Sequence, residues 1–149
     1  MKKRVLARFE GAAIAIGCRW DSRPTEHPYA PVAHDPTLAR LWNVNLAVRG
    51  RVLQTDVVWS GGSTDMGNVS QVVPAIHPHV AFRGRDEVPH NPAFAEAARS
   101  EAADEAVLDA ATALAWTVLD AALSPEIRTE LRRRCTARLA GSTRVTLQS

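Results

Sequence analysis

The chain has 149 residues, 46% of them hydrophobic and 23% charged, with a formal net charge of +2. That length suits one ordinary core, and the composition argues against wholesale disorder. The charge is small, and the arginines at Arg132-Arg133-Arg134 and Arg138 lack aromatic platforms, so nucleic acid is excluded as an expected partner.

Val5, Leu6, Phe9, Ala12, Ala13 and Ile16 recur at helical spacing and predict an amphipathic helix from Val5 to Gly17, with Gly17 as its C-cap. The basic start before Cys18 imitates a lipoprotein leader, but Arg8 and Glu10 interrupt the apolar run. Cys18 to Arg23 alternates, which predicts a short strand. Four prolines between Pro24 and Pro36 forbid a regular element and mark a linker, in which His27 and His34 read as solvated loop residues. Asp35 is an N-cap with Pro36 at N1, opening a helix through Trp42 and Leu46 to Gly50. Arg51 to Trp59 reads weakly as a strand. Val69, Val72, Val73, Ile76, Val80 and Phe82 read as one or two buried strands.

Asp86 to Pro89 is a polar connection, and Phe94 to Ala98 forms a single turn. An alanine-rich helix follows from Glu101 to Leu123, with Val107, Leu108, Ala111, Leu114, Ala115, Val118, Leu119 and Ala122 on its apolar face. Ser124 caps a last helix from Pro125 to about Ala140, and Gly141 onward is a tail. Cys18 and Cys135 lack metal-ligand spacing and read as free thiols of a reducing cytosol. No apolar run approaches the roughly 18 residues that cross a membrane, so a cytoplasmic protein is expected.

The chemistry-bearing residues gather in Gly61-Gly-Ser-Thr-Asp-Met-Gly-Asn-Val-Ser70, Val73-Pro-Ala-Ile-His-Pro-His79 and His90-Asn-Pro-Ala-Phe94. Gly61, Gly62 or Gly67 offers a positive φ for a sharp turn. Asp65 has two readings from spacing. It is a turn residue bonding the amides of Gly67 and Asn68, or it lines a cleft with Ser63, Thr64 and Asn68. His77 and His79 flank Pro78, so extended backbone would turn them the same way, or leave one buried and hydrogen-bonded at a strand end. His90, held between Pro89 and Pro92, is either a surface loop residue or a nitrogen offered to a metal.

These three runs, in this order, resemble the C-terminal part of a zinc-dependent amidohydrolase family. That family holds the aminoacylase-like dipeptidases and the p-aminobenzoyl-glutamate hydrolases (metallopeptidase family twenty). The resemblance runs from about Val5 to Leu131 and corresponds to the last third of such an enzyme. It implies an α/β fold: residues 1–23 end a lid or dimerisation domain, 24–36 are a hinge, 37–140 are the C-terminal part of the catalytic domain and 141–149 are a tail. By resemblance to the family's His-Thr-Pro-Glu-Phe, His90 is the last zinc ligand. Ser63, Thr64, Asp65, Asn68 and His77 are then substrate-binding or support a metal-bound histidine, while His79 is incidental.

The implied reaction is hydrolysis of amide bonds in small N-acyl amino acids or dipeptides. The family's His-x-Asp and Glu-Glu motifs, which supply the other ligands and the general base, are missing here. The expectation is therefore a chain inactive by itself, served by a homodimer or a complementing N-terminal chain. The competing readings are a non-catalytic module for a small ligand or a partner, and a small metalloprotein using His77, His79 and His90.

Overall fold

The computed structural model describes residues 2–23, 28–53, 64–82 and 89–146, with side chains through residue 141. Among these residues there are six helices: α1 (Lys2–Ala15), α2 (Pro36–Val48), α3 (Met66–Val72), α4 (Pro92–Ala97), α5 (Glu101–Leu123) and α6 (Pro125–Thr146). They contain no strand, and the one extended pairing is an isolated parallel bridge between His34 and Ala75. The expected α/β architecture is therefore corrected to an all-helical one.

The reasons are local. Val69 and Val72 belong to α3, which stops because Val73 precedes Pro74 and is pushed to extended backbone (φ −127°, ψ 149°). Beyond it, Pro74 and Pro78 lack the donors that a sheet ladder needs. Cys18 to Arg23 is irregular, and no neighbouring strand is available to pair with it among the described residues.

Helix ends follow their capping chemistry. Gly17 (φ 70°) and Gly50 (φ 72°) each adopt the left-handed conformation after a helix. At α1, Gly17 N–H donates to Ile14 and Cys18 N–H to Ala13. At α2, Gly50 N–H donates to Ala47 and Arg51 N–H to Leu46. Both are the paired bonds of a Schellman ending. Asp35 opens α2 by accepting from Thr37 N at 3.0 Å and Leu38 N at 3.2 Å. Ser124 accepts from Ile127 N at 3.2 Å, and α6 runs on to Thr146, past the expected stop near Ala140.

The core is the contact of α2 with α5. Trp42 and Leu46 bury against Ala113, with Ile76, Val80 and Ala110 around them. On α5 the buried stripe is Ala103, Ala106, Asp109, Ala113, Thr117 and Ala121. Small side chains at helical spacing let the α2 backbone approach closely. The large residues expected to face the core lie on the opposite side: Val107, Leu108, Leu114, Val118 and Leu119 are exposed. Asn45 crosses the interface, donating to Thr117 Oγ1 (3.3 Å) and Asp120 Oδ2 (2.8 Å).

By length and composition α5 is also long and apolar enough to cross a membrane, contrary to the sequence expectation. Its inner stripe is nevertheless committed to α2 and the turn after it, through the Asn45–Thr117 hydrogen bond and the Arg51–Asp109 ion pair. Helix α1 has no buried residue, and its Phe9 stacks on Trp20 with ring centroids 6.4 Å apart.

Candidate functional site

Thr64 to Asn68 form the entrance to α3. Gly67 N–H donates to Thr64 O (3.1 Å) and Asn68 N–H to Asp65 O (2.8 Å), which starts the helix through backbone bonds. The Asp65 carboxylate does not cap these amides; it accepts from Thr64 Oγ1 at 3.4 Å and is exposed. Ser63, Gly61 and Gly62, like His27, lie outside the described residues.

What α3 holds is a piece of its own chain. Asn68 Oδ1 accepts from Ala30 N at 2.6 Å while its Nδ2 donates to Pro28 O at 3.3 Å. Ser70, fully buried, accepts from Ala33 N at 2.9 Å, and Gln71 Nε2 donates to Pro31 O at 2.7 Å. The proline-rich segment, irregular as expected, is thus docked by three side chains of one short helix. Gly67 makes this possible through space rather than through a positive φ. A Cβ there would lie 1.8 Å from Ala30 O.

Three histidines meet at the next step of the chain. His34 Nδ1 accepts from His77 N at 3.3 Å, and the rings of His77 and His79 meet edge to face, 5.4 Å between centroids. His79 titrates below its ordinary value, first through partial desolvation and then through the neighbouring charges of His77 and His34. A histidine with a lowered folded pKa is protonated first in the unfolded state. Its contribution is therefore full above about pH 6.5 and lost as the pH falls through the folded value. Protection factors against hydrogen exchange in residues 28–35 and 74–80, which correct for the intrinsic pH dependence of exchange, are expected to fall between pH 7 and 5 in the wild type, and less so in His79→Asn. Equal acid response in both would remove His79 as the cause.

His90 sits apart from this group, exposed at the entrance to α4 with φ 69°. It is the one non-glycine residue with positive φ among those described. Asn91 N-caps α4 by accepting from Phe94 N at 2.9 Å, and Phe94 stacks on Phe82 with centroids 5.5 Å apart. That stacking ties the His90 turn to the end of the 74–82 segment. Among the described residues, no three of His, Cys, Asp and Glu converge closely enough to hold a metal ion.

Two buried charge clusters were not singled out from the sequence. Asp109, on the inner face of α5, pairs with Arg51 Nε at 2.8 Å and Arg49 Nε at 2.9 Å; Arg51 Nη1 also donates to Ala81 O at 2.8 Å. Arg51 Nη2 is buried and finds no hydrogen-bond acceptor among the described residues. Asp35, with no exposed surface, accepts from Arg134 Nη1 on both oxygens (3.0 and 2.9 Å) besides capping α2. Glu130 binds Arg133 and Arg134, which push its carboxyl down to about 2. The legible signal was a lone aspartate inside an apolar helix stripe, since such a carboxylate needs a partner.

No family model matches the chain. Two curated relatives do. The Xaa-Arg dipeptidase of Mus musculus is 39% identical over 128 residues, covering 84% of this chain and 30% of the relative. The Xaa-Arg dipeptidase of Homo sapiens is 36% identical over 127 residues, covering 83% of this chain and 29% of the relative. The chain therefore spans less than a third of the length of these relatives. Over that stretch the chain is similar to these two dipeptidases.

Proposed function

We propose that this chain supplies part of a metal-dependent dipeptidase, acting on dipeptides or small N-acyl amino acids, peptides ending in arginine included. The observation that carries the reading is the 36–39% identity to two Xaa-Arg dipeptidases over more than four-fifths of the chain. In this reading zinc is the cofactor and His90 is one of its ligands. A side chain held at positive φ is strained, of the order of 1–3 kcal/mol, and such strain gathers at ligand-binding positions. Pro89 before it and the Asn91 cap behind it hold the turn in place.

The residues described here do not fit a complete zinc site, which needs about three protein ligands. Thr64, Asp65, Asn68 and His77, with Ser63, are the proposed substrate-side or supporting groups. The Asn68 side chain is already engaged with the 28–34 segment, so its role would be to shape the site rather than to react, whereas His77 meets that segment through its backbone N–H.

Metal analysis after gel filtration, on wild type and His90→Ala, tests the ligand. Less than 0.1 equivalent of zinc in the isolated wild type is expected, rising to about one when the missing ligands are supplied, and lost again in His90→Ala. Full zinc occupancy in that variant would sink His90 as a ligand. Hydrolysis of Xaa-Arg dipeptides by the isolated chain is expected to stay at the buffer rate. Turnover by the chain alone would overturn the incomplete-site reading.

A further inference from the structure

Helix α5 is apolar on both sides, and only one side is used. Its inner stripe of small residues packs on α2. Its outer side presents Val107, Leu108 and Val118, each 65% exposed, with Leu119 and Leu123 beside them. A groove of about 410 Å³ adjoins this side, walled by Leu38, Leu114, Val118 and Leu131 and flanked by Arg128 and Arg132. Past its acidic first turns (Glu101, Asp104 and Glu105), α5 carries large apolar residues on the side away from α2, and such a face is ordinarily covered inside a protein. A contiguous apolar patch rimmed by charge marks an interaction surface.

We propose that the outer face of α5 and its groove seat a second polypeptide segment, the one corresponding to the part of the dipeptidase relatives that this chain does not span. This inference rests on the dipeptidase reading above. The relatives share this stretch at 36–39% identity and have more than twice its length besides, so a polypeptide able to cover the face exists in them. The arginines at the groove call for an acidic side chain on the incoming segment. They also disfavour a second copy of this chain, because a two-fold interface there would bring the same cations together. A lipid bilayer is disfavoured because α5 would carry Asp109 and its partner Arg51 along with it.

The test uses the mouse Xaa-Arg dipeptidase with its matched 128-residue stretch deleted, co-refolded with this chain. A one-to-one complex is expected on gel filtration. Val118→Lys with Leu119→Lys is expected to weaken it at least tenfold while leaving urea unfolding of the isolated chain unchanged, since both positions are exposed. Absence of a complex, or a complex indifferent to the double substitution, overturns the proposal. So does a wild-type homodimer, or binding to phosphatidylcholine vesicles, that the double substitution abolishes.

A chimera in which this chain replaces the matched stretch guards against a deletion that does not fold. It is expected to be soluble, with a Tm lowered by the double substitution; an unchanged Tm counts against the proposal. Dipeptide hydrolysis by the complex or the chimera is scored separately. A complex without turnover leaves the surface assigned and sinks the dipeptidase reading instead.

Discussion

Replacing Gly67 with alanine is expected to destabilise the chain by about 3 kcal/mol, although it puts a better helix former into a helix. The gain in helix propensity is about 1 kcal/mol. Against it stands a Cβ placed 1.8 Å from Ala30 O and 2.8 Å from Ala30 C, both backbone atoms. Neither can turn aside as the end of a flexible side chain would. Relief requires α3 and the 28–34 segment to separate, which stretches the bonds from Asn68, Ser70 and Gln71. Each such bond is worth about 1 kcal/mol net, so the clash outweighs the propensity.

Gly11 is the control. It also lies within a helix, and nothing stands within 4 Å of an added Cβ. Gly11→Ala is expected to be neutral or stabilising by up to about 1 kcal/mol. Urea unfolding of the two variants should therefore move in opposite directions. A gain in stability from Gly67→Ala would show that the close approach to Ala30 is not kept in solution.

Asp109→Ala is expected to cost about 3–5 kcal/mol, because it strands Arg51 as an uncompensated buried cation. Arg51 retains only 8% of its side-chain exposure, and its Nη2 already lacks an acceptor among the described residues. Replacing both members of the pair with apolar residues, Asp109→Leu with Arg51→Met, is expected to recover most of the loss. Additive losses in the two single variants and the double variant would mean that the ion pair contributes no coupling.

The pH dependence has a definite sign. Hydrogen bonding from Arg51, then from Arg49, holds the Asp109 carboxyl below its ordinary 3.8, against the opposing effect of burial. The unfolded state therefore takes up a proton first on acidification. The contribution of Asp109 is full above about pH 4 and lost as the pH falls through the lowered folded value. The stability gap between wild type and Asp109→Asn, measured by urea midpoints, should be constant from pH 7 to 5 and narrow below pH 4. A gap that widens on acidification contradicts this.

Local chemistry made the starts of α2, α4 and α6 and the ends of α1 and α2 legible. Asp35-Pro36, Asn91-Pro92 and Ser124-Pro125 each set a capping side chain before a residue with its φ already fixed, and Gly17 and Gly50 supply the left-handed turn that a Schellman ending needs. These signals act within five residues, so they can be read without knowledge of the fold. The three runs ending at Ser70, His79 and Phe94 likewise carried the likeness to dipeptidases without reference to the fold.

Tertiary structure decided the rest. Val69 and Val72 were read as strand residues, yet their spacing of three places them on one face of the short helix that forms. Gly67 reads as a turn glycine in sequence, yet its role is set by a carbonyl 37 residues away. The apolar residues of α5 were visible as one broad face, but side-chain volume determined which side α2 could approach. Alanine and threonine let the α2 backbone come close, and the leucines and valines were left outside. Periodicity records that a face is apolar; which face is buried depends on the shape of what packs against it.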